Sequence, residues 1–69
     1  MKNDIRQRRN VDDLSQADLA AAVGVSRQTI NAIERERYDP SIELAFELAC
    51  HFDCRIEDLF DPELDGSEQ

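Results

Sequence analysis

Apolar residues along this chain recur at helical spacing in short blocks, and no stretch alternates with the two-residue period of a strand. Each block opens on a start signal. Ser15 precedes QADLAAAV, with Asp18 three residues on to complete a reciprocal capping box. Ser26 precedes RQTINAIERE as a second cap, and Ser41, after Pro40, precedes IELAFELACHF. Residues 2–10 form a first helix and IEDLF a short last one. With two glycines, two prolines and no repeats, the pattern predicts an all-α fold, a compact bundle of five short helices. One domain spans residues 1–64, and an acidic tail follows at 65–69.

Residues 16–35 are the informative block. They comprise a helix of eight residues, a turn at Gly24 and a second helix opening at Ser26. Gly24 can take the left-handed conformation that ends a helix and redirects the chain. Leu19, Val23, Val25, Ile30 and Ile33 supply an apolar seam, and Ala20 and Ala21 allow close approach. Such spacing sets one helix across another, as in a helix-turn-helix. At about 100° per residue, Ile30 and Ile33 mark the buried side of the second helix. Gln28, Asn31 and Arg35 then lie near the centre of the opposite side, flanked by Arg27 and Ala32. Arg suits guanine, Gln and Asn suit adenine, and Ala suits the thymine methyl. The alternative is an ordinary solvated face, but no carboxylate stands at its centre. Ser26 at the start and Arg37 beyond the end complete the expected DNA-binding set.

Charge modifies this picture. Sixteen acids against eight bases give −8, and seven of the bases are arginine. Residues 1–38 hold seven bases and six acids, whereas residues 39–69 hold Arg55 alone against ten acids. The first half is thus suited to a polyanion, and the second to water or a protein partner. Scarce lysine with abundant carboxylates also fits a salt-loaded cytoplasm, so a halophilic source is expected. Charged first residues argue against a signal peptide, and no apolar run approaches the length of about 20 residues that spans a bilayer. Two cysteines are too few for a secreted disulfide framework. A cytoplasmic, reduced protein is expected. Cys50, His51 and Cys54 form a C-H-x2-C cluster, but three candidate ligands without a fourth make a weak zinc site. They read as core cysteines and a helix-end histidine. With one histidine, no phosphate-binding glycine loop and no nucleophile motif, neither an enzyme nor a cofactor is expected.

The runs SQADLAAAVGVSRQTINAIE, YDPSIELAFELA and IEDLF resemble the Cro/repressor-type (XRE-like) helix-turn-helix regulators, over roughly residues 1–64. The resemblance implies a five-helix DNA-binding domain whose third helix enters the major groove. It also implies a homodimer on a palindromic double-stranded operator. By position it makes Gln16 a phosphate contact, Arg27 and Gln28 the leading base readers, and Asn31 and Ala32 the next turn. Arg9 and Glu34 match a structural ion pair between the first and third helices. Several positions depart from the family pattern: Asp13 and Glu36 stand where turn glycines are common, and Arg55 replaces the serine that caps the last helix. Arg8 stands where an apolar residue is frequent, and is expected either to lie along the bundle or to point to DNA. Phe52, Ile56, Leu59, Phe60 and Leu64 exceed what the fourth helix can cover, and part of this surface is expected to form the dimer contact. A regulator, most simply a repressor, is the leading expectation. The rival is an antitoxin-like interaction module using its acidic half.

Overall fold

The computed structural model describes residues 1–62, so the tail, Leu64 and the boundary at 64 lie outside the described residues. Five helices are present: α1 (Ile5–Val11), α2 (Gln16–Val23), α3 (Arg27–Glu34), α4 (Ile42–His51) and α5 (Ile56–Leu59). Hydroxyls start three of them. Ser15 Oγ accepts from Asp18 N at 2.9 Å while Asp18 Oδ2 accepts from Ser15 N at 3.3 Å. Ser26 Oγ and Ser41 Oγ accept from Thr29 N and Leu44 N, both at 3.1 Å. Each such cap stabilises a helix by about 1 kcal/mol. At α5, where Arg55 brings no hydroxyl, the Asp58 carboxylate reaches back to Arg55 N at 3.1 Å. That backbone N–H, together with the Arg55 guanidinium, holds the Asp58 carboxyl below its ordinary value.

The first four helices end in one way, with a left-handed residue and a bond from the next N–H back across the last turn. Gly24 does this for α2 at φ 75°, and Asp13, Glu36 and Asp53 do it for α1, α3 and α4 at φ 55°, 62° and 54°. The closing bonds run from Leu14 N to Arg9 O, Val25 N to Ala20 O, Arg37 N to Ala32 O and Cys54 N to Ala49 O, at 2.9–3.0 Å. Glu36 therefore makes the turn without glycine, at the cost of side-chain crowding against its own backbone.

The chain start departs from expectation. Residues 2–10 are not all helical: Lys2–Asn3 form a strand, β1, paired antiparallel with β2 (Phe60–Asp61) in the register Lys2↔Asp61 and Asn3↔Phe60. Asn3 is held by its side chain, Nδ2 donating to Ile33 O at 2.8 Å and Oδ1 accepting from Ile5 N at 3.3 Å. Two residues per strand are too few to show any alternation, so the pattern could not reveal them.

Ile5, Leu19, Ile30, Ile33, Leu48 and Leu59 are fully buried, and Ala20, Leu44, Ala45, Ala49 and Phe60 complete the core. The α2–α3 seam is made by Leu19, Ala20, Ile30 and Ile33, with Val23 and Val25 half-buried; Ala21 is exposed and takes no part in it. Leu59 and Phe60, expected at a dimer contact, are core residues here, because α5 and β2 fold back over the bundle. Arg9 and Glu34 join α1 to α3 in a two-point ion pair, Nε to Oε2 at 2.6 Å and Nη2 to Oε1 at 3.0 Å. Arg9 Nη1 also donates to Leu14 O at 2.9 Å.

Two stability outcomes are expected by urea denaturation. Glu36→Gly relieves the left-handed crowding and stabilises by about 1 kcal/mol, less any extra unfolded-chain entropy. Arg9→Ala or Glu34→Ala leaves one charge of a nearly buried pair uncompensated and costs about 3 kcal/mol or more. An Arg9→Met, Glu34→Leu double variant costs less than either single change.

Candidate nucleic-acid interface

The cap at Ser26 and the turn at Glu36 define α3 as two turns of helix. Ile30 and Ile33 anchor its inner side at 0% and 1% exposure. On the outer side Arg27, Gln28 and Arg35 are exposed, and Asn31 and Ala32 are half-buried. Ser26 is also exposed, but its hydroxyl is engaged by Thr29 N and by Thr29 Oγ1 at 3.0 Å, so it shapes the first turn. Arg37 lies beyond the turn, exposed.

Gln16 opens α2 and faces α3. Its Nε2 donates to Glu34 Oε1 at 3.0 Å, and Asn31 Nδ2 approaches its Oε1 at 3.5 Å, the outer limit of a hydrogen bond. Glu34, the one acid of α3, is thereby enclosed by Arg9 and Gln16, its side chain 5% exposed. The same hydrogen bond to Glu34 raises the Arg9 pKa above its ordinary value. The outward surface of α3 consequently carries cations and amides with no free carboxylate.

Two shallow hollows lie beside α3. One, of about 290 Å³, is lined by Arg6, Arg9, Gln16, Asn31, Glu34 and Arg35. The other, of about 280 Å³, is lined by Ser26, Gln28, Thr29, Ala32 and Tyr38. Arg6 and Tyr38 were not singled out from the sequence. Arg6 precedes Arg9 by three residues, a helical spacing that places both on one side of α1. Arg8 turns elsewhere, Nε lying 3.7 Å from Asp4 Oδ2 in a separate hollow beside Phe52.

A further concavity, of about 400 Å³, is apolar and shares no residue with the two hollows beside α3. Met1, Pro40, Ile42, Ile56 and Pro62 are among its walls. Next to it Ile42 and Phe46 stand one turn apart on α4, 65% and 59% exposed. Of the residues expected to meet a second subunit, Phe52 and Ile56 are half-buried, whereas the most exposed large apolar side chains of this half are Ile42 and Phe46. Cys50 and His51 are exposed, and His51 sits edge-on to the Phe52 ring at 5.1 Å. Cys54 packs against the core, and burial pushes its thiol pKa up. Among the described residues no group of three His, Cys, Asp or Glu side chains is placed to hold a metal. No helix among them is long and apolar enough to cross a membrane.

Comparison with known proteins agrees with this geometry. A family model described as helix-turn-helix matches residues 5–59. A regulator of the archaeon Methanocaldococcus jannaschii, named only as an HTH-type transcriptional regulator, is 53% identical over 60 residues, covering 87% of this chain and 91% of the relative. Among solved structures, the restriction-modification controller protein C.AhdI of Aeromonas hydrophila superposes with a TM-score of 0.74 at 30% identity, over 81% of this chain and 85% of that one. The SinR–SinI protein complex contains a chain that superposes at 0.75 and 28% identity, over 93% of this chain and 66% of that one. The first of these is named a transcriptional regulator and the second a controller protein. With five helices in this order, a capped and outward-facing α3, and a family match over most of its length, the chain belongs to the helix-turn-helix family of DNA-binding transcriptional regulators, of the Cro/repressor kind.

Proposed function

We propose that this protein is a sequence-specific regulator that reads double-stranded DNA as a homodimer, with α3 in the major groove. The observation that carries the reading is the outer face of α3. In a chain of net charge −8, that face presents Arg27, Gln28, Asn31 and Ala32 to the outside and keeps its one acid enclosed by Arg9 and Gln16. Arg27 and Gln28, at the exposed N-terminal turn, take the first base edges. Asn31 and Ala32 follow one turn on. Two such helices in successive major grooves, about 34 Å apart, match a palindromic operator. A dimer seated on a promoter represses by excluding polymerase, and with two free thiols it works in a reducing cytoplasm.

The dimer contact centres on Ile42 and Phe46 and the adjoining apolar groove, whose walls include Ile56 and Phe60. A projecting Phe46 beside a concavity on one face is the arrangement a two-fold axis can use twice. Glu43, Glu47 and Glu57 border this seam, so like charges meet there. Salt screens them, with a Debye length of about 10 Å at 0.1 M, and dimerisation strengthens as salt rises. The DNA term behaves oppositely. Each neutralised phosphate contributes about 0.9 to the negative slope of log affinity against log salt. A protein from a salt-loaded cytoplasm therefore relies on few phosphates and on base contacts.

A second reading has its own support in the acidic half and its apolar groove, which suit a basic protein partner. Neutralising Glu43, Glu47 and Asp61 separates the two, because DNA reading survives that change and capture of a basic partner does not.

Selection of bound duplexes from a random library, at moderate and molar salt, is expected to enrich an inverted repeat that Gln28→Ala, Asn31→Ala no longer enriches. No enrichment at either salt would sink the DNA-reading proposal. Sedimentation is expected to show a dimer that tightens with salt and a monomeric, folded Phe46→Glu variant. A dimer unaffected by that change would place the contact elsewhere.

A further inference from the structure

Among Arg27, Gln28, Asn31 and Ala32, only Asn31 has a side chain tied to the scaffold, and the tie fixes which way its amide points. Glu34, paired with Arg9 at 2.6 Å, is a carboxylate and offers acceptors only. Gln16 therefore turns its NH2 group toward it, and Nε2 donates to Glu34 Oε1 at 3.0 Å. The Gln16 carbonyl oxygen is left on the other side of its amide, 3.5 Å from Asn31 Nδ2. An acceptor there selects the orientation of Asn31 in turn. Nδ2 faces Gln16, because the reverse orientation would set Oδ1 against a second oxygen. The contact is long, but the choice between attraction and repulsion survives at that distance.

One Nδ2 N–H of Asn31 is thus committed inward. Its other N–H and the neighbouring Oδ1 take no hydrogen bond among the described residues. A donor beside an acceptor matches adenine, which shows N7 and the N6 amino group in the major groove. Guanine shows N7 and O6, both acceptors, so its O6 would meet Oδ1. An untethered asparagine amide escapes that conflict by turning over, since its two ends are nearly equal in size, and then donates to guanine. Discrimination between the two purines therefore depends on what holds the amide.

From these observations we infer that Glu34 and Gln16 set the base preference of Asn31. The series Arg9, Glu34, Gln16, Asn31 holds the last amide in the sense that accepts adenine and rejects guanine. The inference rests on the DNA-reading proposal and deepens it. Gln16 becomes a positioning residue for specificity, separate from anything it contributes to affinity. Glu34, enclosed behind α3 at 5% exposure, decides a base that it never touches. Donor and acceptor alternate along the series, so reversing the sense at one member reverses it at the next.

The test uses the full chain and the duplex that the wild type selects, with each base pair of a half-site exchanged in turn. Asn31→Ala identifies the base pair that Asn31 reads, as the one whose discrimination it abolishes. Gln16→Met then removes both poles of the orienting amide at similar length. Gln16→Lys keeps a donor for Glu34 but sets a donor, in place of an acceptor, before Asn31. Circular dichroism and thermal melting verify that each variant is folded. At the identified base pair, Gln16→Met is expected to lower the preference for adenine over guanine about five- to tenfold per protomer, the worth of one hydrogen bond. Gln16→Lys is expected to shift the preference toward guanine. Preferences at the other base pairs stay as in the wild type, whatever happens to overall affinity. In an Asn31→Ala background neither change alters any base preference. A Gln16→Met variant that weakens every operator equally overturns the inference, and so does a Gln16→Lys variant that still prefers adenine. Lowered thermal stability with the base preference intact makes the Gln16–Asn31 contact scaffolding and overturns it too. A wild type that selects no duplex removes the parent reading. A selected motif whose base preferences all survive Asn31→Ala removes this inference alone.

Discussion

Arg9 and Glu34 meet where three helices converge, and most of the functional surface depends on that meeting. The guanidinium reaches both carboxylate oxygens and the carbonyl of Leu14, so it ties α1 to α3 and to the entry of α2. A planar fork suits this better than an ammonium, because three bonds leave in fixed directions. The pair lies at 11% and 5% exposure, where a lone charge would be costly and a matched one is stable. Its consequence for α3 is twofold. The helix is held against the bundle from its C-terminal end, while Ile30 and Ile33 hold it from within. Its one negative charge is also withdrawn from the surface that an acidic polymer must approach.

The distribution of charge resolves an apparent contradiction between net charge and ligand. A chain of −8 ought to be repelled by DNA. Ten of its sixteen acids, however, lie from Asp39 onward, five of them on α4, α5 and β2, and the arginines other than Arg55 lie on or near α1 and α3. The field near α3 is local, and at the ionic strength of a cell screening acts over distances shorter than the molecule's longest extent of 38 Å. The acidic half is therefore electrostatically separate from α3, which lies in the field of the basic edge.

Helix number and order, and the starts of α2, α3 and α4, were legible because they rest on local chemistry. Ser15, Ser26 and Ser41 each cap the helix that follows, and Asp18 completes its box. The left-handed turn at Gly24 was legible for the same reason, whereas those at Asp13 and Glu36 were suggested only by the family pattern. What escaped was tertiary. The β1–β2 pair unites residues some 58 positions apart through backbone groups, which leave no side-chain pattern. Leu59 and Phe60 read as surplus apolar surface because nothing local shows that the chain folds back over Ile5. Ala21 and Ala20 are identical in type, and only the direction of α2 decides which is buried. Arg6 was passed over beside Arg8 and Arg9, although the spacing of Arg6 and Arg9 puts them on one side of α1. Glu34 was recognised through family resemblance as a partner of Arg9, but its grip on Gln16 needed coordinates.

The division of labour along α3 has an evolutionary implication. Scaffold positions (Thr29, Ile30, Ile33, Glu34) and outward positions (Arg27, Gln28, Ala32) occupy opposite sides of eight residues. Only Asn31 touches both, through Gln16. If α3 reads bases as proposed, the outward set can drift under selection for new operators while the folding instructions stay intact. Duplicated copies in one genome could acquire separate addresses by a handful of codon changes, each tolerated because it alters recognition and leaves the helix's anchorage alone.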